Sequence, residues 1–267
     1  MPKEKETIYR VARTRDELEE AFSLVYKEYA GRGYIPKHYK STLRLSLHNA
    51  VPSTVTFVAL QDNRVIATVT LIPDSVLGLP MDSIFKEEVD VLRKGGLKVA
   101  EVSQLSLDGD LFPKNWFSLF NFNKLAFVFK LFKLVLDYSF YTAGLNELCI
   151  AINPSHQYLY KFISFKQMGG LKHYGSVNKA PAIAFKCDLT KAKEKLKNRK
   201  GLYKMFFGGK TLSESLEKKY TLTNGDLEYF FMKKSDIFEK ASPEQLMYIK
   251  SCYPHLSLKG DNAEHEH

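Results

Sequence analysis

Cysteine is scarce: Cys149, Cys187 and Cys252 are all that 267 residues contain. Their number is odd, their spacing wide and their neighbours mostly apolar, which excludes a disulfide framework and a paired-cysteine zinc site and leaves reduced packing residues. Carboxylates are also in short supply. Thirty Asp and Glu against 39 Lys and Arg leave a net charge of +9, so an acidic partner, nucleic acid or an anionic membrane is favoured over a basic partner. Even the most apolar stretch, 117–141, holds no run of the ~20 residues a membrane span needs. The N-terminal MPKEKETIYR is charged where a secretion signal needs an apolar core, so the chain is expected in the cytoplasm. What is plentiful is apolar surface, 45% of residues with aromatics at 13%. That excludes a disordered chain, and the length suits one domain of about 200 residues plus an appendage.

The stretch that organises the chain is 97–108, LKVAEVSQLSLD, which reads as a buried central strand. At period two, Val99, Glu101, Ser103, Leu105 and Leu107 share one face; Ala100, Val102, Gln104, Ser106 and Asp108 share the other. A carboxylate thus sits mid-strand among apolar neighbours, where it loses hydration and needs a partner or a purpose. Two readings follow: a structural glutamate held by one Arg or Lys, or a reactive group.

Around it, 8–12 alternates as a short strand, and Thr14 with Glu17 forms a capping box opening a helix to about Tyr29, with Leu18, Ala21, Phe22, Val25 and Tyr29 as its buried stripe. AGRGYIP then makes a loop, and 39–48 is expected to form a short helix with Leu43 and Leu47 on one side and Arg44 beside them. Residues 54–60 and 65–72 read as a hairpin turning at Asp62 and Asn63. Asp82 is expected to cap a helix to about Lys94, ended by Gly95 and Gly96. Residues 117–141 make an amphipathic helix with a broad aromatic face and Asn123, Lys130, Lys133 and Asp137 on one arc; packing on the sheet is preferred to membrane insertion. A strand at 147–152, a helix capped by Ser155 to about Phe165, and strands at 171–177 and 182–188 complete a mixed α/β sheet, mostly antiparallel at its start.

With these residues the chain resembles the acetyltransferase-like GNAT superfamily, and within it the long-chain N-acyl amino acid synthases. The likeness is carried by LVYKEY at 24–29 with GY at 33–34, TLIPDS at 70–75, GLPMD at 78–82, AEVSQL at 100–105 and NPSHQYLYKFISF at 153–165, over roughly residues 8 to 190. A more distant likeness is to the acyl-homoserine-lactone synthases. The resemblance implies a splayed central strand with a pantetheine arm in the gap, bonded to free backbone groups from Gln104 to Leu107. It makes Glu101 the group that takes the amine proton and Tyr160 the hydroxyl near the leaving sulfur. Ser103, Gln104, Leu105, Ser106, Leu107, Arg44, Phe120 and Phe127 are the expected substrate-binding residues. Two positions depart from the pattern: Thr70 stands where the lactone synthases have an arginine, which argues against S-adenosylmethionine as acceptor. Ser164 stands where a glycine is usual. The turn after the strand, LDGDLFPKNWFSLFN, also lacks the glycine-rich loop of coenzyme A users.

The implied reaction moves a long-chain fatty acyl group from an acyl carrier protein thioester, carried on 4'-phosphopantetheine, to the α-amine of an amino acid. No further cofactor, no metal and no nucleic acid partner is implied; peripheral membrane contact stays open. A homoserine-lactone-type signal synthase and a non-catalytic lipid-binding protein are the alternatives. The expected division is 1–190 for this domain, 191–256 for a basic helical C-terminal extension and 257–267 for a disordered tail. The extension begins with KAKEKLKNRK and holds three short helices, over 211–220, 224–234 and 242–252.

Overall fold

The computed structural model describes residues 6–111, 122–208, 216–254 and 256. Its framework is an eight-stranded sheet. The strands are β1 Ile8–Val11, β2 Val55–Gln61, β3 Arg64–Pro73, β4 Val99–Leu107, β5 Glu147–Ile152, β6 Lys166–Gln167, β7 Lys172–Tyr174 and β8 Ala180–Asp188. Their order is β1-β2-β3-β4-β5-β8-β6, with β7 also on β8. Every pair is antiparallel except β4 with β5. The hairpin β2–β3 forms as its sequence predicts: Asp62 and Asn63 both take positive φ, +49° and +60°, the turn whose twist matches the strands it joins.

Helix α1, Arg15–Gly31, buries Leu18, Ala21, Phe22 and Val25 as expected. Half of its capping box is present. Thr14 accepts the Glu17 N–H, but the Glu17 carboxylate accepts from the Arg13 N–H and the Arg10 guanidinium. Helix α2, Asp82–Lys94, has Met81 at its N-cap, not Asp82; the Asp82 carboxylate is occupied by the Leu79 N–H and Arg93. Helix α3, Phe122–Tyr141, packs on the sheet, and no helix among the described residues is long and apolar enough to cross a membrane. The polar arc expected on α3 is left to water only in part: Lys130 is exposed, but Asp137 is buried and paired with Lys133 at 2.7 Å. The cause is helix α6, Lys200–Phe207, which packs over it. Helix α4, Gln157–Phe162, follows a 3-10 turn whose N-cap is Asn153 in place of the expected Ser155. Helix α5, Leu189–Lys197, buries Leu189, Ala192 and Leu196 under its basic face.

The C-terminal helices are α7 Asn224–Glu228, running into a π-helical turn Tyr229–Lys233, then α8 Ile237–Lys240 and α9 Pro243–Cys252. They share one apolar core with α1 and the 43–51 segment. The helix expected over 39–48 is absent. Residues 41–46 carry no regular structure, and a 3-10 turn spans Leu47–Ala50. The reason is the alternation LRLSLH at 43–48: Leu43 and Leu45 are buried while Arg44 and Ser46 turn the other way, a period of two that suits extended chain and not a helix. Of the helix expected over 211–220, residues 211–215 lie outside the described residues and 217–220 are irregular, with Lys218 at φ +59°; the tail also lies outside them.

Candidate active site

The site lies where β4 and β5 part. They pair over only three positions, Val99 with Glu147, Ala100 with Leu148 and Glu101 with Cys149. Beyond Glu101, β4 continues to Leu107 and β5 to Ile152 without pairing. The wedge between them opens into a cavity of about 400 Å³ lined by Val102 to Leu105 of β4, Ile150 to Ile152 of β5 and Tyr160 of α4. What separates the strands is a bulge. Thr70 of β3 opposes Ser103 and Thr68 opposes Ser106, so one residue of β3 faces two of β4. Gln104 takes the strained turn of that bulge at φ +55° and is held there by an amide-to-amide pair with Asn49, 3.2 Å in each direction.

The bulge corrects the facial assignment drawn from the sequence. One extra residue inverts the parity of every side chain after it, so Leu107 joins Ala100 and Val102 in the main core while Val99 packs in a separate cluster on the opposite face. Ser103, Gln104 and Leu105 line the cavity as expected. Ser106 and Leu107 do not: both are buried beyond it, back in register with β3. Phe127 packs on Tyr9 at the edge of the core, ring centroids 5.8 Å apart, and is not a cavity residue. Phe120 lies outside the described residues.

Glu101 sits at the fork of the wedge, where pairing ends and the cavity opens, and is 3% exposed. One carboxylate oxygen accepts the Met81 N–H at 2.7 Å, and the Ser103 hydroxyl is its other hydrogen-bond partner. No ion pair among the described residues involves it, which disposes of the structural reading that required an Arg or Lys. Desolvation pushes its pKa up to about 8, against the two hydrogen bonds and with help from the charge of Asp82. A carboxyl poised there can accept a proton from an amine near neutral pH. The loop that supplies the Met81 N–H turns at Gly78, φ +70°, where a side chain would collide with the Asp82 carboxylate. It is braced by Arg93, whose guanidinium bonds Asp74, Asp82 and Asp90 at 2.6–2.8 Å. Arg93 is therefore spent on structure.

Arg44 is the cation that reaches the cavity from the 43–50 segment. It donates to the Ser176 carbonyl at 2.8 Å and lies against the rings of Tyr29 and Tyr39. Tyr29, assigned to the buried stripe of α1, turns into the cavity instead, beside Tyr34, His48, His156 and Tyr174. Burial holds His156 down at about 4, with Arg32 adding to the effect. Tyr160 is buried between Phe132 and Phe165, and desolvation raises its hydroxyl, so it stays protonated. The sequence marks none of Tyr29, Tyr34, His48, His156 and Tyr174 as a cavity residue. The strict alternation at 43–48 is the available signal for His48; nothing local marks the others.

A splayed parallel pair in a mostly antiparallel sheet, with a buried carboxyl at the fork and an unpaired strand edge leading away from it, defines an acyltransferase of the GNAT-like fold. The sequence profile of the N-acyl amino acid synthase FeeM family matches residues 20–188, and the chain belongs to that family. It is similar to the structure of FeeM, an N-acyl amino acid synthase from uncultured soil microbes, at 31% identity and a TM-score of 0.62, over 74% of this chain and 100% of that one. The fold is shared more distantly with the acyl-homoserine-lactone synthase LasI, at 13% identity, 78% and 98% coverage and a TM-score of 0.52. The coenzyme A-dependent lactone synthase BjaI, bound to MTA, stands at 16%, 73% and 90%, and 0.50. No curated protein sequence matches the chain significantly.

Proposed function

We propose that this acyltransferase moves a long-chain fatty acyl group from the thioester of an acyl carrier protein to the α-amine of an amino acid, with Glu101 as the base. The observation that carries the reading is the position of Glu101: buried, without a cationic partner among the described residues, at the fork from which the cavity opens. In the proposed reaction the pantetheine arm lies along the unpaired edge of β4, and backbone N–H groups there stabilise the oxyanion. Glu101 takes a proton from the ammonium, the neutral amine attacks and the C–N bond forms; the nitrogen then gives up its second proton to solvent as the C–S bond breaks. The thiolate takes a proton from the Tyr160 hydroxyl, which Glu101 or solvent restores. Arg44 meets the acceptor carboxylate, since a guanidinium is the best partner for a desolvated carboxylate. Leu105 lines the cavity and also packs against the main core, an apolar surface for the acyl chain.

The donor has to be read from residues, because among the fold neighbours BjaI is coenzyme A-dependent. The turn after β4, where a diphosphate would be held, spends its N–H groups internally: Gly109 donates to Glu28 at 3.0 Å and Asp110 to Asp108 at 3.2 Å. Asp108 and Asp110 are themselves held by Lys27. That leaves little to attract a diphosphate. The sequence from 111 to 136 and from 148 to 187 contains no carboxylate side chain, only lysines, a distribution that suits an acidic carrier. Within 111–136, Lys130 is exposed over the Tyr9 ring, while Lys133 is engaged by Asp137. The test is a rate comparison with matched acyl chains on carrier protein and on coenzyme A, products identified by mass spectrometry. The carrier should win by at least about tenfold in kcat/KM, and its advantage should shrink as salt rises. Equal, salt-independent use of both donors would exclude a carrier-specific enzyme.

A further inference from the structure

The family match ends at residue 188, yet the chain beyond it reaches the cavity wall. Leu227, Phe230, Phe231, Phe238, Ile249 and Tyr253 of the C-terminal segment 216–256 are buried in one core with Leu43, Leu45, Ala50 and Val51. The 43–50 segment therefore has two faces. One packs on the C-terminal helices; the other presents Arg44, Ser46 and His48 to the cavity.

The contact is polar as well as apolar. The Tyr253 hydroxyl donates to the Ala50 carbonyl at 2.8 Å in a buried setting, and the Lys219 ammonium donates to the carbonyls of Pro52 and Thr54. Next to Ala50, the Asn49 side chain accepts the Ser46 N–H at 2.8 Å and pairs with the Gln104 amide. Gln104 also donates to the Arg44 carbonyl at 3.3 Å. Tyr253, Ala50, Asn49 and Gln104 thus form a continuous chain from the C-terminal helices to the bulge that splays β4, with the wall residues attached along it. Apolar cover alone would tolerate sliding of the wall by a fraction of an ångström. Directed bonds to particular carbonyls and amides fix its register.

We propose that the C-terminal segment is an acceptor-recognition element, with Tyr253 and Asn49 as positioning residues that set Arg44, Ser46 and His48 against Gln104 and Glu101. This rests on the reading of the cavity as the acceptor site. The experiment is a double-mutant cycle on the full chain. Tyr253→Phe removes one oxygen and keeps the ring, and should raise the acceptor KM on the order of tenfold, since small misplacement of a binding group is costly. The donor KM should stay within about twofold. In an Arg44→Gln background the same change should add less than about twofold, because both act through one wall. Phe238→Leu, which disturbs the same core at its stacked pair with Phe231 and touches none of these bonds, should lower Tm without moving the acceptor KM.

A readout that needs no turnover is hydrogen exchange of the substrate-free protein, where Tyr253→Phe should speed exchange across 43–52 more than Phe238→Leu does. A lower Tm with both KM values unchanged, equal rises in both, independent effects in the cycle, or identical exchange in the two variants would each overturn the proposal. A wild-type protein that acylates amino acids while Tyr253→Phe behaves as wild type removes this inference alone. A wild-type protein that acylates none removes the acceptor reading itself.

Discussion

Glu101 and Glu147 stand two residues apart along the same face of the β4–β5 pair, and both are buried glutamates whose pKa is raised by desolvation. Their surroundings differ. Glu147 lies at the paired end, with the Lys186 ammonium at 3.6 Å and a small pocket of about 110 Å³ ringed by Lys166, Lys186, Lys191 and Lys195. Glu101 lies at the open end, bonded to a backbone N–H and a hydroxyl and facing a cavity of about 400 Å³. A buried carboxylate beside a cation is accounted for by its ion pair. One that keeps its desolvation cost uncompensated by charge, and looks into a space large enough for a substrate, is poised to gain a proton from something that enters it.

The sharpest way to break this contrast is to neutralise each carboxyl. Glu101→Gln should lower acyl transfer by roughly 10² or more, as loss of a positioned base does, and the deficit should narrow at high pH where the amine is already neutral. Glu147→Gln should stay within about threefold of wild type. Comparable losses in both would show that burial in this sheet, not position at the fork, is what matters. The charge state of Glu101 should also show in stability. Glu101 titrates near 4.5 when unfolded and about 8 when folded, so between those values the native state holds the extra proton. Its stability then falls as pH rises, by roughly 1 kcal/mol per pH unit. Glu101→Gln removes that slope, so its Tm should gain on wild type steadily from pH 5 to pH 8 and run parallel below pH 4.5. A constant gap across the range would mean that the group is not desolvated in solution.

Next in size is Arg44, which lines the cavity together with Arg32. Arg44→Gln should raise the acceptor KM about tenfold or more with little change in the donor KM, since a carboxylate then meets a neutral amide in a partly dry site. Primary amines without a carboxylate should react poorly with wild type and be indifferent to the substitution. If they react as well as amino acids do, Arg44 holds something else.

Much of the molecule is legible in its amino-acid sequence. The hairpin at Asp62 and Asn63, the stripe on α1 up to Val25 and the buried carboxyl in β4 are local signals, set by turn chemistry and periodicity, and they hold. Features decided at a distance are not legible in this way. The face of Leu107 depends on a bulge that Gln104 sustains only because Asn49, 55 residues away in sequence, pairs with its amide. The burial of Asp137 on α3 depends on α6 packing over it. Asp82 has the look of a cap and is instead one arm of the Arg93 cluster. The 39–48 segment departs from its expected helix for a different reason: two periods compete there, because Leu43 and Leu47 are four apart while Leu43 and Leu45 are two apart, and burial follows the shorter one.

The smallest effect belongs to the paired end of the wedge, where it serves as the control. Helix α4 ends with Ser164 at φ +76°; the Phe165 N–H bonds the Tyr160 carbonyl at 2.9 Å and the Ser164 N–H bonds that of Lys161 at 3.2 Å. This is the terminating arrangement that normally calls for glycine at Ser164, because a side chain is strained at positive φ. Ser164 also borders the small pocket of Glu147, away from the cavity. Ser164→Gly should therefore relieve strain at the cost of some chain entropy, for a net gain of up to about 1 kcal/mol and a rise in Tm of about 2 °C. Because the cap fixes only the backbone of Tyr160, whose ring is already clamped by Phe132 and Phe165, kcat and both KM values should be unchanged. A loss of rate would mean that the strained cap helps to place the Tyr160 hydroxyl, and the division between a reactive open end and a structural closed end would have to be redrawn at α4.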